Sequence, residues 1–273
     1  MWSERQQAML RQIGLRVWSA PRAAPASAPA TETAVAPAVA ATEPPARAPK
    51  PAATAPAPAA APAFRADVGT PALRADVATL DWPALREAVA ACRACNLCES
   101  RTQTVFGVGH RQAHWLVVGE APGEQEDLQG EPFVGAAGQL LDRMLAALQL
   151  TRGEDGDAPP ARRVYIANTL KCRPPRNRNP APQEMTQCEP YLQRQIELLQ
   201  PRLILAMGRF AVQALLRSEE PIGRLRGRVH RYHGVPLVVT YHPAYLLRNL
   251  PDKARAWDDL CLAAGVARAG LDS

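Results

Sequence analysis

Three short stretches of the 273-residue chain hold side chains that could do chemistry together. The first, Gly119-Glu-Ala-Pro-Gly-Glu-Gln-Glu-Asp127, sets the carboxylates Glu120, Glu126 and Asp127 among glycines that let a ligand approach the backbone closely. The second is an apolar run ending at Asn168, whose carboxamide offers a donor and an acceptor to the edge of a flat heterocycle. The third is His242, which ends another apolar run and precedes Pro243. Each has an ordinary structural explanation when taken alone: acidic loops are well solvated, and Asn and His before Pro are common in turns. They gain weight only if the fold brings them to one pocket. The first loop does not cradle phosphate, because it has neither a Walker lysine nor the dinucleotide glycine spacing, and its acids would repel an anion.

Cysteines form the second constellation. Cys92 and Cys95 make a C-x2-C pair, and Cys172 and Cys188 make a second, more widely spaced one. Four thiolates can close a zinc site or hold an iron–sulfur cluster, and spacing does not choose between them. Cys188 also fits as a core residue on the apolar face of its helix, and Cys261 is read as nothing more than that. Cys98 extends the first pair to C-x2-C-x2-C, and its role stays open.

The elements around these residues alternate. Asp81 and Pro83 start a helix that runs into Cys92. Apolar strands are expected at His114–Gly119, Val164–Ala167, Leu203–Met207 and Pro236–Tyr241. Each is followed by a loop and a helix with an apolar stripe, such as Leu140, Leu141, Met144, Leu145 and Leu148. Continuously apolar strands alternating with helices predict an α/β fold of three layers, with a parallel sheet covered on both faces. Ligands of such sheets bind beyond the carboxyl ends of the strands, which singles out the loops after Gly119, Ala167, Met207 and Tyr241.

Residues 81–273 suffice for one domain with a substantial core. Residues 21–80 read as a disordered linker, because Ala and Pro fill most of them and large apolar side chains are scarce. Residues 1–20 carry a short amphipathic stripe of Met9, Leu10, Ile13 and Val17, interrupted by Gly14. They lack the apolar core of a secretory signal, and no later run is long enough to span a bilayer. A cytoplasmic protein without a membrane contact follows, in which clustered thiols bind metal more often than they form disulfides. A net charge of +6 permits a polyanionic partner without requiring one.

The segments GEAPGEQED, GEPFVGAAGQLLD, NTLKCRPPRNRNP, the helix bearing Cys188, LRGRVHRYHG and YHPAYLLRN, in this order, resemble family 4 of the uracil-DNA glycosylase superfamily. The resemblance implies a four-stranded parallel sheet in an α/β/α sandwich and a [4Fe–4S] cluster held by Cys92, Cys95, Cys172 and Cys188, with zinc as the lesser alternative. It implies hydrolysis of the N-glycosidic bond of deoxyuridine in DNA, leaving an abasic site for base excision repair. Carried over residue by residue, Phe133 stacks on the base and Asn168 reads its edge. His242, with the backbone of Gly119 to Ala121, stabilises charge on uracil O2. Glu120 leads as the carboxylate that positions water, with Glu126 and Asp127 as alternatives. Arg248 and the neighbouring Leu246 and Leu247 resemble the DNA-contacting segment that wedges into the duplex. Arg173, Arg176, Arg178, Arg224 and Arg226 are further candidates for phosphate contacts.

Other readings predict different behaviour. A related branch traps DNA covalently through a histidine in the loop after the second strand, but CRPPRNRNP contains none. A non-catalytic nucleic-acid-binding module stabilised by four cysteines needs no carboxylate, Phe, Asn and His set. A nucleoside hydrolase would act on free deoxyuridine. A monomer is expected, with residues 1–20 recruiting a replication or repair protein.

Overall fold

The computed structural model describes residues 76–154 and 156–269. The amphipathic segment 1–20 and the Ala/Pro-rich stretch to residue 75 lie outside the described residues. Packing begins ahead of the expected boundary at residue 81. Val77 is buried, and the main-chain oxygen of Leu80 accepts a 2.7 Å hydrogen bond from Arg194.

Helix α1 (Trp82–Ala91) starts as the sequence dictates: the Asp81 carboxylate accepts from Ala84 N at 3.0 Å, and Pro83 sits in the first turn. A short helix α2 (Leu97–Ser100) and a two-residue strand β1 (Val108–Gly109) lead to β2 (Trp115–Gly119). Then come α3 (Glu124–Gln129), α4 (Ala136–Ala147), β3 (Val164–Asn168), α5 (Pro182–Leu199), β4 (Leu203–Met207), α6 (Arg209–Leu216) and α7 (Ile222–Leu225). A hairpin of β5 (Val229–Tyr232) and β6 (Val235–Thr240) precedes α8 (Pro243–Arg248) and α9 (Asp252–Ala269).

The strands form one sheet in the order β1-β3-β2-β4-β6-β5. The inner four are parallel, as expected, and two antiparallel edges extend them to six. The edges escaped the sequence reading because they carry no continuous apolar run. β1 is only two residues long, and β5 alternates exposed and half-buried side chains. The turn joining β5 to β6 has positive φ at both His233 (46°) and Gly234 (86°), the geometry that matches the twist of a hairpin.

All residues of β2, β3 and β4 are buried, and successive side chains go to opposite layers. Leu116, Val118, Ile204 and Ala206 face α1, α5 and α6, meeting Leu85, Ile196 and Val212. Trp115, Val117, Leu203 and Leu205 face α4 and α9, meeting Leu141, Met144, Trp257 and Leu260. Cys261, expected in that core, is exposed on α9. Among the described residues no helix is long and apolar enough to cross a membrane.

Register decides what happens beyond the sheet. Gly119 pairs with Asn168, and Met207 with Thr240. Four parallel strands therefore stop at nearly the same level, and Glu120, Asn168, Gly208 and Tyr241-His242 emerge along one edge.

Candidate active site at the carboxyl ends of the strands

A cleft of about 870 Å³ opens along that edge. Its walls include Glu120, Ala121, Phe133, Asn168, His242 and Arg248, so the loops after β2, β3 and β6 do converge.

Gly119 sets the closest approach in the cleft. A Cβ there would lie 2.4 Å from Asn168 Oδ1 and 2.7 Å from Phe133 Cζ, so the absence of a side chain lets the carboxamide and the phenyl edge meet over the strand end. Asn168 is buried, and its Oδ1 has no hydrogen-bond partner among the described residues. A buried acceptor without a donor costs free energy, which a ligand N–H at that place would recover. Phe133 is also held under constraint. Its φ of 57° lies in the left-handed region, which non-glycine residues seldom adopt. Arg152 donates to the main-chain oxygens of Pro132 (3.0 Å) and Phe133 (3.1 Å), and Gly138 leaves room for the Phe133 carbonyl at the start of α4. The sequence reading missed Arg152, whose only signal is its basic charge.

His242 caps α8, its Nδ1 accepting from Ala244 N at 3.2 Å. Burial pushes its pKa down to about 4, helped by the charge of Arg248 and opposed by Glu126. The ring is therefore neutral near pH 7, and with Nδ1 accepting, its proton sits on Nε2. The imidazole lies 5.4 Å from the Phe133 ring, tilted by 31°.

Three carboxylates were offered by the sequence, and their hydrogen bonds separate them. Glu120 lines the cleft, and among the described residues its carboxylate has no hydrogen bond; burial pushes its pKa up to about 6 against the pull of Arg209. Glu126 reaches the cleft, but its oxygens accept from Gly123 N (3.1 Å), Val134 N (3.1 Å) and Gly135 N (3.2 Å), tying the first loop to the start of α4. Asp127 is buried away from the cleft, with both oxygens accepting from Thr102 N at 3.0 Å. Asp127 is thus a loop anchor, and the expectation of a reacting carboxylate there is corrected. Arg209, the first residue of α6 just past the loop after β4, lines the cleft beside Glu120. The strand-end rule pointed to that loop without naming a residue in it.

The segment after His242 also divides. Leu246 is 1% exposed and packs with Leu140, Met144 and Trp257, so it is a core residue and not a wedge. Leu247 is 42% exposed, next to Arg248 at the mouth of the cleft, and Tyr245 stacks on Tyr241 at 5.1 Å. Arg178 lines the cleft while paired with Glu184. Arg226 is not available for phosphate, because it is paired at 3.0 Å with the fully buried Asp259.

Behind the cleft, Cys92, Cys95, Cys172 and Cys188 line one pocket, joined by Cys98. Donors point at two of the sulfurs. Arg101 donates to Cys172 Sγ at 3.1 Å and the main-chain N–H of Lys171 to Cys188 Sγ at 3.2 Å. Burial pushes the Cys95 thiol up to about 11 and raises those of Cys172 and Cys188 as well.

The chain was compared with known proteins. A family model described as the uracil DNA glycosylase superfamily matches residues 106–261. A type-4 uracil-DNA glycosylase of Archaeoglobus fulgidus is 45% identical over 167 residues, which cover 58% of this chain and 79% of that protein. One of Pyrobaculum aerophilum is 40% identical over 201 residues, or 71% of this chain and 96% of that protein. A type-5 uracil-DNA glycosylase of the same organism is 32% identical over 149 residues, covering 52% and 66%. These matches take in the strand ends and the loops that build the cleft, and by them the chain belongs to the uracil DNA glycosylase superfamily, alongside its type-4 uracil-DNA glycosylases.

Proposed function

We propose that this chain excises uracil from DNA, hydrolysing the bond between the base and deoxyribose and leaving an abasic site for repair. The observation that carries the reading is the buried, unpartnered Asn168 Oδ1 held against Phe133 over Gly119. Uracil in a flipped nucleotide presents an N3–H to such an acceptor and an O4 to the amide N–H of the same side chain. Cytosine presents the reverse pattern, and a carboxamide fixed in place discriminates by leaving buried groups unpaired. Extrusion costs a few kcal/mol, and stacking on Phe133 offsets about 1–3 kcal/mol if it resembles stacking at single-strand platforms.

Bond cleavage sends the electron pair to N1 of uracil, and the negative charge spreads to O2. A neutral His242 with its proton on Nε2 suits that charge, because it donates without first losing a proton. Glu120, unencumbered by hydrogen bonds, favours the positive sugar, orients the water that adds to C1′ and takes the proton which that water loses, while uracil leaves as the anion. Glu126 acts through the loop that it ties down. Leu247, in place of Leu246, and Arg248 are suited to hold the opened duplex.

The four cysteines fit a [4Fe–4S] cluster. Their sulfurs face one pocket lined with hydrogen-bond donors, as thiolate ligands require. Bound there, the cluster would tie the end of α1 to the segment after β3 and do no step of the hydrolysis.

Incubation of anaerobically purified protein with a uracil-containing oligonucleotide, scored for alkali-labile sites, tests the activity. Abasic sites that disappear with Asn168→Ala are expected. Folded wild-type protein that leaves the oligonucleotide intact would overturn the proposal.

A further inference from the structure

Five residues, Asn168 to Cys172, connect the cleft to the cysteine pocket, and the fourth of them, Lys171, is fully buried. All three protons of its ammonium have acceptors: the main-chain oxygen of Asn168 at 2.9 Å, Gln195 Oε1 at 2.7 Å and the main-chain oxygen of Phe106 at 3.3 Å. Gln195, likewise buried, donates on to Phe106 O at 2.9 Å, closing the network. The main chain of Lys171 faces the other way, with its N–H on Cys188 Sγ and its oxygen accepting from Val105 N at 2.8 Å. Burying an ammonium is costly unless its hydrogen bonds are complete, so a Lys at this place is explained only by what it holds.

What it holds is the peptide that carries the cleft carboxamide. The Asn168 side chain meets Gly119 and Phe133, and its main-chain oxygen is fixed by Lys171 from behind. Thr169 N and Leu170 N then bond the oxygens of Gly119 and Glu120 at 3.0 and 3.1 Å. We propose that Lys171 is the positioning residue for base discrimination: by clamping the Asn168 carbonyl to α5 through Gln195, it fixes the direction of the carboxamide that separates uracil from cytosine. The inference rests on the reading of Asn168 given above. Lys171 itself touches no substrate. It acts by denying Asn168 the slack that would let its amide turn to suit either base.

Free uracil and free cytosine are probes that report on the pocket without DNA binding or turnover. Their dissociation constants, measured by ligand-observed NMR on cluster-loaded protein, give a discrimination ratio in which stacking on Phe133 cancels. Lys171→Met should lower the ratio about tenfold, the worth of roughly one hydrogen bond. In an Asn168→Ala background it should lower the ratio no further, because the two changes remove the same interaction. If Lys171→Met does not fold, judged by circular dichroism and iron content, Gln195→Leu removes one acceptor and should lower the ratio about threefold. A folded Lys171 or Gln195 variant with the wild-type ratio overturns the proposal, as does a further fall in the Asn168→Ala background. An unchanged ratio in Asn168→Ala alone would instead overturn the reading of Asn168 and the inference with it.

Discussion

Replacing Glu120 by Gln should make the protein more stable and catalytically inert, with a pH dependence that identifies the cause. Burial holds the Glu120 carboxyl at about 6 rather than the ordinary 4.5, because leaving water disfavours the charged form, and Arg209 offsets only part of this. The native state therefore binds the Glu120 proton more tightly than the unfolded chain does. Below pH 4.5 both states are protonated and the group is neutral to stability. Between pH 4.5 and 6 the unfolded chain ionises first and the native state loses ground, and above 6 the loss is complete. The full separation corresponds to about 2 kcal/mol, reduced to about 1–2 kcal/mol because water still screens part of the carboxyl. Urea midpoints for wild type and Glu120→Gln, compared at pH 8 and pH 5 with unchanged slopes, read this directly. The variant should be more stable by the larger amount at pH 8 and by less than half of it at pH 5. In the same proteins, kcat/KM for uracil excision should rise through pH 6 in wild type, while the variant should stay inert at every pH. A variant less stable than wild type at pH 8, or an advantage independent of pH, would show that the carboxylate is not strained by burial and would refute the reasoning.

His242→Ala should lower the single-turnover rate roughly 10²–10³-fold, as removal of one charge-stabilising donor does elsewhere. Because burial holds His242 at about 4, the wild-type rate should show no second ionisation of a histidine between pH 6 and 8. Gly119→Ala forces a methyl to within 2.4 Å of Asn168 Oδ1 and should abolish excision while costing about 1–3 kcal/mol of stability, as overpacking of a buried site does. Leu246→Ala should cost about 2–5 kcal/mol of stability. Leu247→Ala should stay within about 0.5 kcal/mol yet slow excision from duplex more than from single-stranded DNA. Equal behaviour of the two leucine variants in a melt would contradict the burial that separates them.

The four inner strands and their order of appearance were legible because each is buried on both faces and reads as an unbroken apolar run. From those strands, the rule that ligands bind at carboxyl ends was enough to bring Glu120, Asn168 and His242 together, though they lie far apart in the chain. The edge strands were not legible, since a partner on one side only imposes a weak pattern. Leu246 and Leu247 were not separable either. Both are leucines on one short helix, and only the placement of α8 over α4 and α9 decides that the first turns inward.

The acids of the first loop show why residue type underdetermines role. Glu120, Glu126 and Asp127 are chemically alike and near neighbours in sequence, and each would pass as a general base. What separates them is the destination of backbone N–H groups. A loop that leaves a strand and enters two helices in quick succession exposes donors that no ladder satisfies. Glu126 takes those at Gly123, Val134 and Gly135, while Asp127 takes the N–H of Thr102, from the segment after α2. Glu120 follows the last paired residue of β2, where the main chain is still bonded to the segment after β3 through Leu170 N, so no stray donor claims its side chain. It is left half-buried and poorly solvated, with no hydrogen bond among the described residues, which raises its pKa and leaves its oxygens free to orient water. The same accounting applies to Asn168, whose main-chain oxygen is taken by Lys171 and whose side-chain Oδ1 has no partner among the described residues. In this site the groups free to react are those that the backbone did not need.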